Sequence, residues 1–324
     1  METASQLLQA FEKYLSQLHF PQQPQNLYAP IRYSLQVGGK RIRPLACILA
    51  AQLYSDEVAE VFPVAAAYEV FHNFTLLHDD LMDDSDVRRN MPSVPKKFGI
   101  NAAILSGDRM LIAAYELLSV CNASVLPELL IIFNRTAAQV CEGQQMDMDF
   151  ENSTTISLRD YVEMIRLKTA VLLAACLESG ALVAGDTQNI GKSLYEMGVA
   201  LGVGFQLQDD YLDCYGNEQF GKPIGKDIVN GKKTYLYLHC LANLTEKDRI
   251  DFLDIYQNNA IAEAEKIEKI LAYFQKTDTQ AATWKIAESY FKQAENILQD
   301  NINIAYIRKE PLSQLIKQLQ QRSV

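Results

Sequence analysis

The chain has 324 residues, of which 48% are hydrophobic and 22% are charged, so it can bury a large apolar core. Its formal net charge of −10 argues against a protein that binds the backbone of nucleic acids, because such proteins normally have a basic surface. Glycine and proline are scarce and no linker-like stretch interrupts the chain, which favours one domain over residues 1–324.

The first six residues lack the basic start and the apolar stretch of a secretory signal peptide. No apolar run approaches the ~18 residues that suggest a membrane span. The six cysteines are widely spaced and form neither a CxxC pair nor a zinc-ligand pattern. We therefore expect a cytoplasmic protein without a membrane span, and with buried, reduced thiols.

Apolar residues recur at intervals of three and four along most of the chain, which is the period of an amphipathic helix. The first such face contains Leu7, Phe11, Leu15 and Leu18. Further helical segments are predicted at 45–53, 61–77, 102–120, 126–140, 161–182, 194–212, 236–241, 250–256, 261–274 and 283–298. Turn-forming residues predict breaks at 38–44, 90–99, 152–155 and 216–231. No segment alternates with a period of two, so the predicted fold class is all-α.

Two of the predicted helices carry the acidic pattern Asp-Asp-x-x-Asp. Its members are Asp79, Asp80 and Asp83 in the first helix and Asp209, Asp210 and Asp213 in the second. Helical residues four apart project on one side, so the first and third aspartates share a face that the second flanks. Three neighbouring carboxylates repel one another unless a cation is present, and Mg²⁺ prefers carboxylate and phosphate oxygens. Two triplets facing each other predict a magnesium site for a diphosphate.

Basic residues that could donate to phosphate oxygen accompany both triplets. Those near the first triplet are Lys40, Arg41, Arg43, Arg88 and Arg89. Those after the second triplet are Lys222, Lys226 and Lys232, each of which follows a glycine. Any one of these cations could simply be a surface charge. Their common position beside the aspartates favours an anion-binding site.

These motifs resemble the trans (E)-isoprenyl diphosphate synthase family, which includes farnesyl and geranylgeranyl diphosphate synthases. The resemblance runs from Gly38 to Thr234 and rests on GGKRIRP, DDLMD followed by RR, a KT pair, and GxxFQxxDDxxD at 202–213. It implies a helical bundle around a deep central cavity, a homodimer, and three Mg²⁺ ions bound by the two triplets. The implied reaction joins isopentenyl diphosphate head to tail to dimethylallyl, geranyl or farnesyl diphosphate.

The resemblance also implies roles for single residues. Isopentenyl diphosphate would be held by Lys40, Arg43, His72 and Arg89. The allylic diphosphate would be contacted by Arg88, Lys168, Thr169, Gln206, Lys226 and Lys232, with Lys222 as the alternative to Lys226. The candidates for a direct part in catalysis are Lys168, Thr169, Gln206 and Arg88. One residue departs from the family pattern: Asn90 follows the arginine pair, where the family usually has glycine, so the turn there is expected to differ.

Product length in this family depends on the residues four and five positions before the first aspartate, which point down into the cavity. These positions are Thr75 and Phe74. Phe74 as the floor of the cavity, with room beside it at Thr75, is typical of products of fifteen to twenty carbons. On periodicity alone, Phe74 is equally well an ordinary core residue.

Three other functions fit parts of the sequence. A class I terpene cyclase has the same fold and first triplet, but its second metal motif is typically built from Asn, Ser and Glu. A di-iron carboxylate protein needs two Glu-x-x-His pairs, and only Glu69-x-x-His72 is present. A non-catalytic regulatory subunit of a synthase has no need of intact triplets, whereas both are complete here.

Overall fold

The computed structural model describes residues 2–153, 155–186, 189–216, 224–258 and 260–321. Within them the helices are α1 (Ala4–Ser16), α2 (Gln25–Gln36), α3 (Ile42–Gln52), α4 (Phe62–Met82), α5 (Val94–Phe98), α6 (Ile100–Ser119), α7 (Leu126–Asn152), α8 (Leu158–Ile165), α9 (Val171–Val183), α10 (Ile190–Tyr215), α11 (Lys226–Val229), α12 (Tyr235–Asn243), α13 (Glu246–Gln257), α14 (Glu263–Lys276), α15 (Thr279–Asn296) and α16 (Tyr306–Gln320). The predicted all-α class is confirmed.

Helices α2, α11 and α16 were not predicted, and two short segments form strands that were not predicted either. Val87–Arg88 (β1) and Met91–Pro92 (β2) pair antiparallel as a two-residue hairpin, and α5 follows at once. The stretch 90–99 is therefore not irregular, as we expected, but ordered by the hairpin and one short helix. Pairs this short leave no room for alternating side chains, so periodicity could not reveal them.

The chain divides into two compact units. The first contains Met1–Asn134, Ala175–Lys192 and Asn303–Leu312, and the second contains Arg135–Ala174, Ser193–Ile302 and Ser313–Val324. The first aspartate triplet belongs to the first unit, and the second triplet to the second unit. Among the described helices, none is both long enough and apolar enough to cross a bilayer.

The first unit is built on α4, which packs against α3 and α6. Residues 64–71 of α4 are buried on every side, and so is α3 from Pro44 to Gln52. Helices that are apolar all round are stable only when neighbours cover them, which explains why α4 lies inside this unit. Polar side chains enter α4 at buried Glu69, at His72 and at buried Asn73, and its last turn carries the aspartates.

The second unit contains the more polar helices α12 to α15. Their core is formed by Phe252, Tyr256, Ile270 and Phe274, all of which are buried. One apolar stripe per helix is enough to build this core, so the remaining faces of α13 and α14 can be charged. The prediction that the chain stays helical after residue 245 is confirmed.

The cysteines are all free, but they are not all buried. Cys47, Cys176, Cys214 and Cys240 lie in the interior as expected. Cys121 is only partly buried and Cys141 is exposed, so the prediction was wrong for these two. Cys141 lies at an exposed position of α7, whose weakly amphipathic sequence hides which side faces the core.

Candidate functional site

The first triplet stands at the C-terminal end of α4. Asp79 and Asp80 lie in the last turn, and Asp83 is the residue that ends the helix rather than part of it. Asp80 is buried, with 3% of its surface exposed, and its Oδ1 accepts hydrogen bonds from Arg88 Nε at 2.9 Å and Nη2 at 2.5 Å. Burial raises the pKa of Asp80, while the charge of Arg88 acts in the opposite direction.

The hairpin brings Arg88 back to this helix end. Its turn residues, Arg89 and Asn90, are left-handed, with φ of 53° and 62°. Such a pair of positive φ angles fits the twist of a two-residue hairpin, and asparagine tolerates the conformation well. Asn90 therefore makes a tight turn without glycine. Arg89 in turn lies against Gly39, where a β-carbon would stand 2.8 Å from the Arg89 guanidinium carbon.

Guanidinium groups surround His72 on α4. Arg43 Nη1 donates to His72 Nε2 at 3.1 Å, so this ring nitrogen is the acceptor. Burial lowers the pKa of His72 well below its usual value, and the charges of Arg43, Arg89, Arg88 and Arg41 lower it further. Arg43 Nε is buried and has no acceptor among the described residues. This concentration of positive charge fits an anionic ligand.

Arg41 has a different place from its basic neighbours. Its backbone has a left-handed conformation (φ 47°). Its guanidinium is buried and donates to Glu12 Oε1 (2.8 Å), Glu69 Oε1 (2.5 Å) and the Leu35 carbonyl (2.8 Å). Arg41 is therefore a structural cation and not a surface charge. Since Glu69 pairs with Arg41 and His72 with Arg43, the Glu-x-x-His motif is not arranged as a metal ligand pair.

Phe74 and Thr75 lie on α4, about one turn before the first triplet. Phe74 is partly buried, and its ring meets the His78 ring edge to face at 4.8 Å and tilts against Phe71 at 5.5 Å. The Thr75 hydroxyl donates to the His72 carbonyl at 2.8 Å, one turn back along the helix. Phe74 therefore packs partly within the core of the first unit.

The second triplet lies wholly within α10. Asp210 is the buried member, with 4% exposure, and it accepts bonds from the Tyr161 hydroxyl and from Gln206 Nε2 (3.0 Å). Burial raises the pKa of Asp210 well above its usual value, and the Asp227 carboxylate adds to the rise. Asp213 Oδ2 accepts from the Asp227 backbone N–H at 2.9 Å, which ties α11 to the triplet.

Lys168 and Thr169 lie on a single π-helical turn, Arg166–Ala170, between α8 and α9. The Thr169 hydroxyl donates to Gln206 Oε1 at 3.2 Å, and Lys168 Nζ bonds Asp147 Oδ2 at 2.5 Å. The sequence placed this pair in the middle of a regular helix, without the π turn. Such turns occur frequently at functional sites, because they change where backbone carbonyls point.

Two glycines allow other helices to approach the π turn closely. A β-carbon on Gly143 of α7 would lie 2.3 Å from the Lys168 nitrogen. One on Gly202 of α10 would lie 2.5 Å from the Ala170 α-carbon. Both contacts are shorter than any real β-carbon makes, so the turn is held between two helices that present glycine to it.

Of the lysines after the second triplet, Lys226 begins α11 and Lys232 follows it; both are exposed. Lys222 lies outside the described residues. Exposed ammonium groups on a short segment next to Asp213 are in a position to reach an anion bound near that aspartate.

The structure gathers the sequence candidates into one group in each unit. The group of the first unit contains Arg43, His72, Asp79, Asp80, Arg88 and Arg89. The group of the second unit contains Lys168, Thr169, Gln206 and Asp210. Sequence reasoning missed Tyr161 and Asp147. The i,i+4 spacing of Gln206 and Asp210 was readable from the sequence, whereas the tertiary contacts of Tyr161 and Asp147 left no local signal.

The chemistry of the triplets fits Mg²⁺, because they offer only hard carboxylate oxygens and neither thiolate nor imidazole. Among the described residues, no three His, Cys, Asp or Glu side chains are gathered closely enough to form a metal cage. Magnesium is usually bound through one or two carboxylates together with substrate phosphates, so a complete protein cage is not required.

Comparison with known proteins identifies the family. The polyprenyl synthetase family matches residues 24–274. A geranylgeranyl diphosphate synthase of Methanosarcina mazei is 42% identical over 219 residues, 67% of this chain and 68% of its own. A short chain isoprenyl diphosphate synthase of Methanocaldococcus jannaschii is 40% identical over 75% of each chain.

A crystal structure of a geranylgeranyl pyrophosphate synthase superposes with a TM-score of 0.94 at 39% identity and covers 100% of both chains. The comparisons confirm the resemblance seen in the sequence, and they support the predicted short-chain prenyl diphosphate synthase activity. The chain belongs to the polyprenyl synthetase family.

Proposed function

We propose that this protein is a short-chain (E)-prenyl diphosphate synthase. It condenses isopentenyl diphosphate with an allylic diphosphate head to tail and releases diphosphate. Farnesyl or geranylgeranyl diphosphate is the product. The names of the relatives support this activity, and geranylgeranyl synthases among them favour the twenty-carbon product.

One observation carries the proposal at the level of side chains. In both triplets the second aspartate is buried and hydrogen-bonded, Asp80 to Arg88 and Asp210 to Tyr161 and Gln206. These bonds fix the carboxylates within each triplet, while the first and third members lie nearer the surface. Two similarly built acidic helix ends suit a diphosphate that is held through divalent cations.

The leaving diphosphate is the centre of the proposed mechanism. Arg88, Lys226 and Lys232 donate charge-assisted hydrogen bonds to its oxygens, with Lys222 as the alternative to Lys226. Bound Mg²⁺, for which we propose three ions on the six aspartates, would act as a Lewis acid on this group. These donors stabilise the negative charge that develops as the allylic carbon–oxygen bond breaks.

The allylic cation is stabilised by fixed dipoles. The Lys168 carbonyl, the Thr169 hydroxyl oxygen and the Gln206 amide oxygen are acceptors that belong to one group in the second unit. Because the π turn and its glycine neighbours hold them, they need little reorganisation during the reaction. The Lys168 ammonium also pairs with Asp147, whose carboxylate offsets part of its positive charge beside these dipoles.

Isopentenyl diphosphate binds at the arginine-rich group of the first unit. Lys40, Arg43 and Arg89 supply the charge, and neutral His72 accepts from Arg43 and so orients its guanidinium. After the double bond attacks the allylic carbon, a proton must leave. The departing diphosphate oxygen takes it, since the dipoles of the second group are poor bases.

The direct test incubates the purified protein and Mg²⁺ with isopentenyl diphosphate and, in turn, dimethylallyl, geranyl and farnesyl diphosphate. We expect elongated diphosphates that end at fifteen or twenty carbons. A hydrocarbon formed from farnesyl diphosphate alone would instead identify a terpene cyclase. No product from any primer would leave the regulatory-subunit reading standing and contradict the synthase.

Substitution of the first aspartates tests the metal assignment. We expect Asp79→Ala and Asp209→Ala each to lower turnover by about a thousandfold, because each removes ligands for the ions on the leaving group. The far-ultraviolet circular dichroism spectrum and Tm should stay close to those of the unsubstituted protein. Exposed Asp254→Ala, on α13, is the control. Near-normal turnover of both variants at saturating Mg²⁺ would refute the assignment.

The same incubation measures product length in Phe74→Ala. If the ring is the floor of the cavity, with Thr75 beside it, its removal opens space and products longer than those of the unsubstituted protein appear. Phe71→Leu, which changes the neighbouring buried ring, is the control for a general loosening of the core. An unchanged product distribution on chromatography would show that Phe74 is only a core residue.

A further inference from the structure

Lys233 makes an unusual set of bonds within the second unit. Its ammonium group donates to three backbone carbonyls: those of Phe150 (2.8 Å), Glu151 (2.8 Å) and Ser153 (2.7 Å). An ammonium group has three N–H donors, so all of them are used. Phe150 and Glu151 belong to the last turn of α7, where carbonyls lack helical partners and the helix dipole favours a cation.

The neighbouring residue, Lys232, differs in its surroundings. Its side chain is exposed, whereas that of Lys233 is partly buried. The Lys232 backbone is bonded on both sides, since its N–H donates to the Asp227 carbonyl (2.9 Å) and its carbonyl accepts from the Tyr256 hydroxyl (2.5 Å). In the Gly-Lys-Lys-Thr motif at 231–234, the side chain of Lys233 is therefore anchored, whereas that of the adjacent Lys232 is exposed.

The segment from Lys226 to Lys232 is consequently fixed at its two ends. At the first end, Asp213 of the second triplet accepts from the Asp227 N–H at 2.9 Å. At the other end, Lys233 joins the segment to the end of α7. The same helix carries Asp147, which bonds Lys168 at 2.5 Å. One helix thus holds both the lysine segment and the lysine of the π turn.

We propose that Lys233 is a positioning residue for the allylic diphosphate. By anchoring its own backbone to the C-terminal end of α7, it fixes Lys232, and through the Asp227 contact Lys226, at the places from which they reach phosphate oxygen. Lys233 itself does not touch the substrate. This inference rests on the proposed function and adds to it a residue outside the diphosphate-binding set.

Steady-state kinetics of Lys233→Met tests the inference. We expect the KM for the allylic diphosphate to rise about tenfold or more, because small displacements of binding groups have large effects. The KM for isopentenyl diphosphate should stay within about twofold, since its proposed site belongs to the other unit. Lys233→Arg should recover most of the allylic KM, because a guanidinium can also donate to these carbonyls.

Lys276→Met is the matched control. Lys276 is a cation in the last turn of α14 within the same unit, where it pairs with Asp248 at 2.6 Å and has no bond to the lysine segment. Its removal also deletes one positive charge near a helix end. A general effect of charge would change the allylic KM in both variants, whereas the anchor predicts a change in Lys233→Met alone.

Amide hydrogen exchange without substrate gives a readout that is independent of activity. In Lys233→Met, the N–H groups of Asp227, Asn230 and Lys232 should exchange about tenfold faster, because the segment opens locally more often. Amides of α14 should be unchanged. If Lys233→Met does not fold, Lys233→Gln, which retains two donors, serves in both experiments with the same expected direction.

An unchanged allylic KM in a folded variant, an equal rise in both KM values, or unchanged exchange at the three amides would overturn the inference. These results differ from a failure of the proposed function itself. If the unsubstituted protein forms no prenyl diphosphate, the synthase proposal falls, while the exchange experiment still decides whether Lys233 anchors the segment.

Discussion

The protonation state of His72 is determined by its burial and by the charges around it. Histidine is half protonated near pH 6.5 when it is exposed to water. Here burial and several guanidinium groups disfavour the imidazolium, so the pKa of His72 is lowered. The neutral ring can then accept from Arg43 and hold that guanidinium in place. The positive charge of the site remains on the arginines, which do not titrate in the physiological range.

The lowered pKa predicts a pH dependence of stability. The unfolded chain gains a proton on His72 as pH falls through about 6.5, whereas the folded chain does not until its own, lower pKa is reached. Stability from this group is therefore complete above pH 6.5 and is lost as pH falls below it, by at most about 1.4 kcal/mol per pH unit. His72→Gln keeps an acceptor for Arg43 and should remove this part of the slope.

Thermal unfolding between pH 5 and 8 measures the effect. As pH falls, the Tm of His72→Gln should decrease less than the Tm of the unsubstituted protein. His19→Gln, at an exposed position of the same unit, is the matched control. Parallel Tm curves for His72→Gln and the unsubstituted protein would show that His72 takes up its proton equally well in the folded state.

The π turn is the decisive feature at the scale of elements. A π turn accommodates one more residue in the helical ring than an α-helix does, and it persists where packing compensates for poorer hydrogen bonds. Here the compensation comes from α7 and α10, which reach the turn through Gly143 and Gly202. Gly202 is also the first residue of the sequence motif that ends at Asp213. The motif therefore needs glycine at this position for a steric reason, because a β-carbon would collide with the π turn.

We expect Gly202→Ala to lower turnover by about tenfold or more, because its β-carbon would displace the turn that carries Lys168 and Thr169. The added methyl group should also lower stability by about 1–3 kcal/mol, as overpacking usually does. Turnover at saturating substrates and urea unfolding measure the two effects.

Gly204→Ala is the control on the same helix. A β-carbon there would come only to 3.2 Å from Tyr290 Cβ, a contact that a small shift relieves, and it does not approach the π turn. We expect nearly normal turnover in this variant. A Gly202→Ala protein with normal turnover would mean that the turn does not need to stay where the glycine places it.

At the scale of the whole molecule, the first unit leaves an apolar face in water. Ile104, Leu105 and Ile112 of α6 are 39%, 60% and 53% exposed, and Ile131 of α7 is 66% exposed. Residues seven and eight apart share one side of a helix, so the three α6 residues form a stripe, which exposed Asp108 interrupts. Apolar residues clustered on one side of a helix are candidates for a protein interface. We expect this face to be covered in the homodimer that the family resemblance implies.

The double variant Leu105→Glu with Ile112→Glu should dissociate the dimer, because two unpaired carboxylates would be buried in the interface. Sedimentation equilibrium should show Kd at least about a hundredfold higher than for the unsubstituted protein. Ile250→Glu, which changes an isoleucine that is 66% exposed on α13, is the control. A monomeric unsubstituted protein at micromolar concentration, or a double variant that remains dimeric, would contradict the assignment of this face.

Much of the fold followed from periodicity, because an amphipathic helix records its buried side in residues three and four apart. Some of the helices that were missed or shortened have little such signal, whereas α2 (Gln25–Gln36) is amphipathic and was missed all the same. The end of α7, for example, extends from 140 to Asn152 through a polar stretch. The hairpin at Val87–Arg88 escaped because its two-residue strands are too short to show alternation.

The sequence by itself determined the all-α class, the family, the two aspartate triplets and the basic residues beside them, since all of these are recorded in local patterns. Only the tertiary structure decided which member of each triplet is buried, that Arg41 is a buried structural cation, that Lys168 pairs with Asp147, and that Lys233 is anchored to α7. Each of these depends on partners 21 to 83 positions away along the chain, or on which side of a chain segment is covered. Local sequence carries no record of such contacts, because burial and charge pairing are properties of the packed molecule.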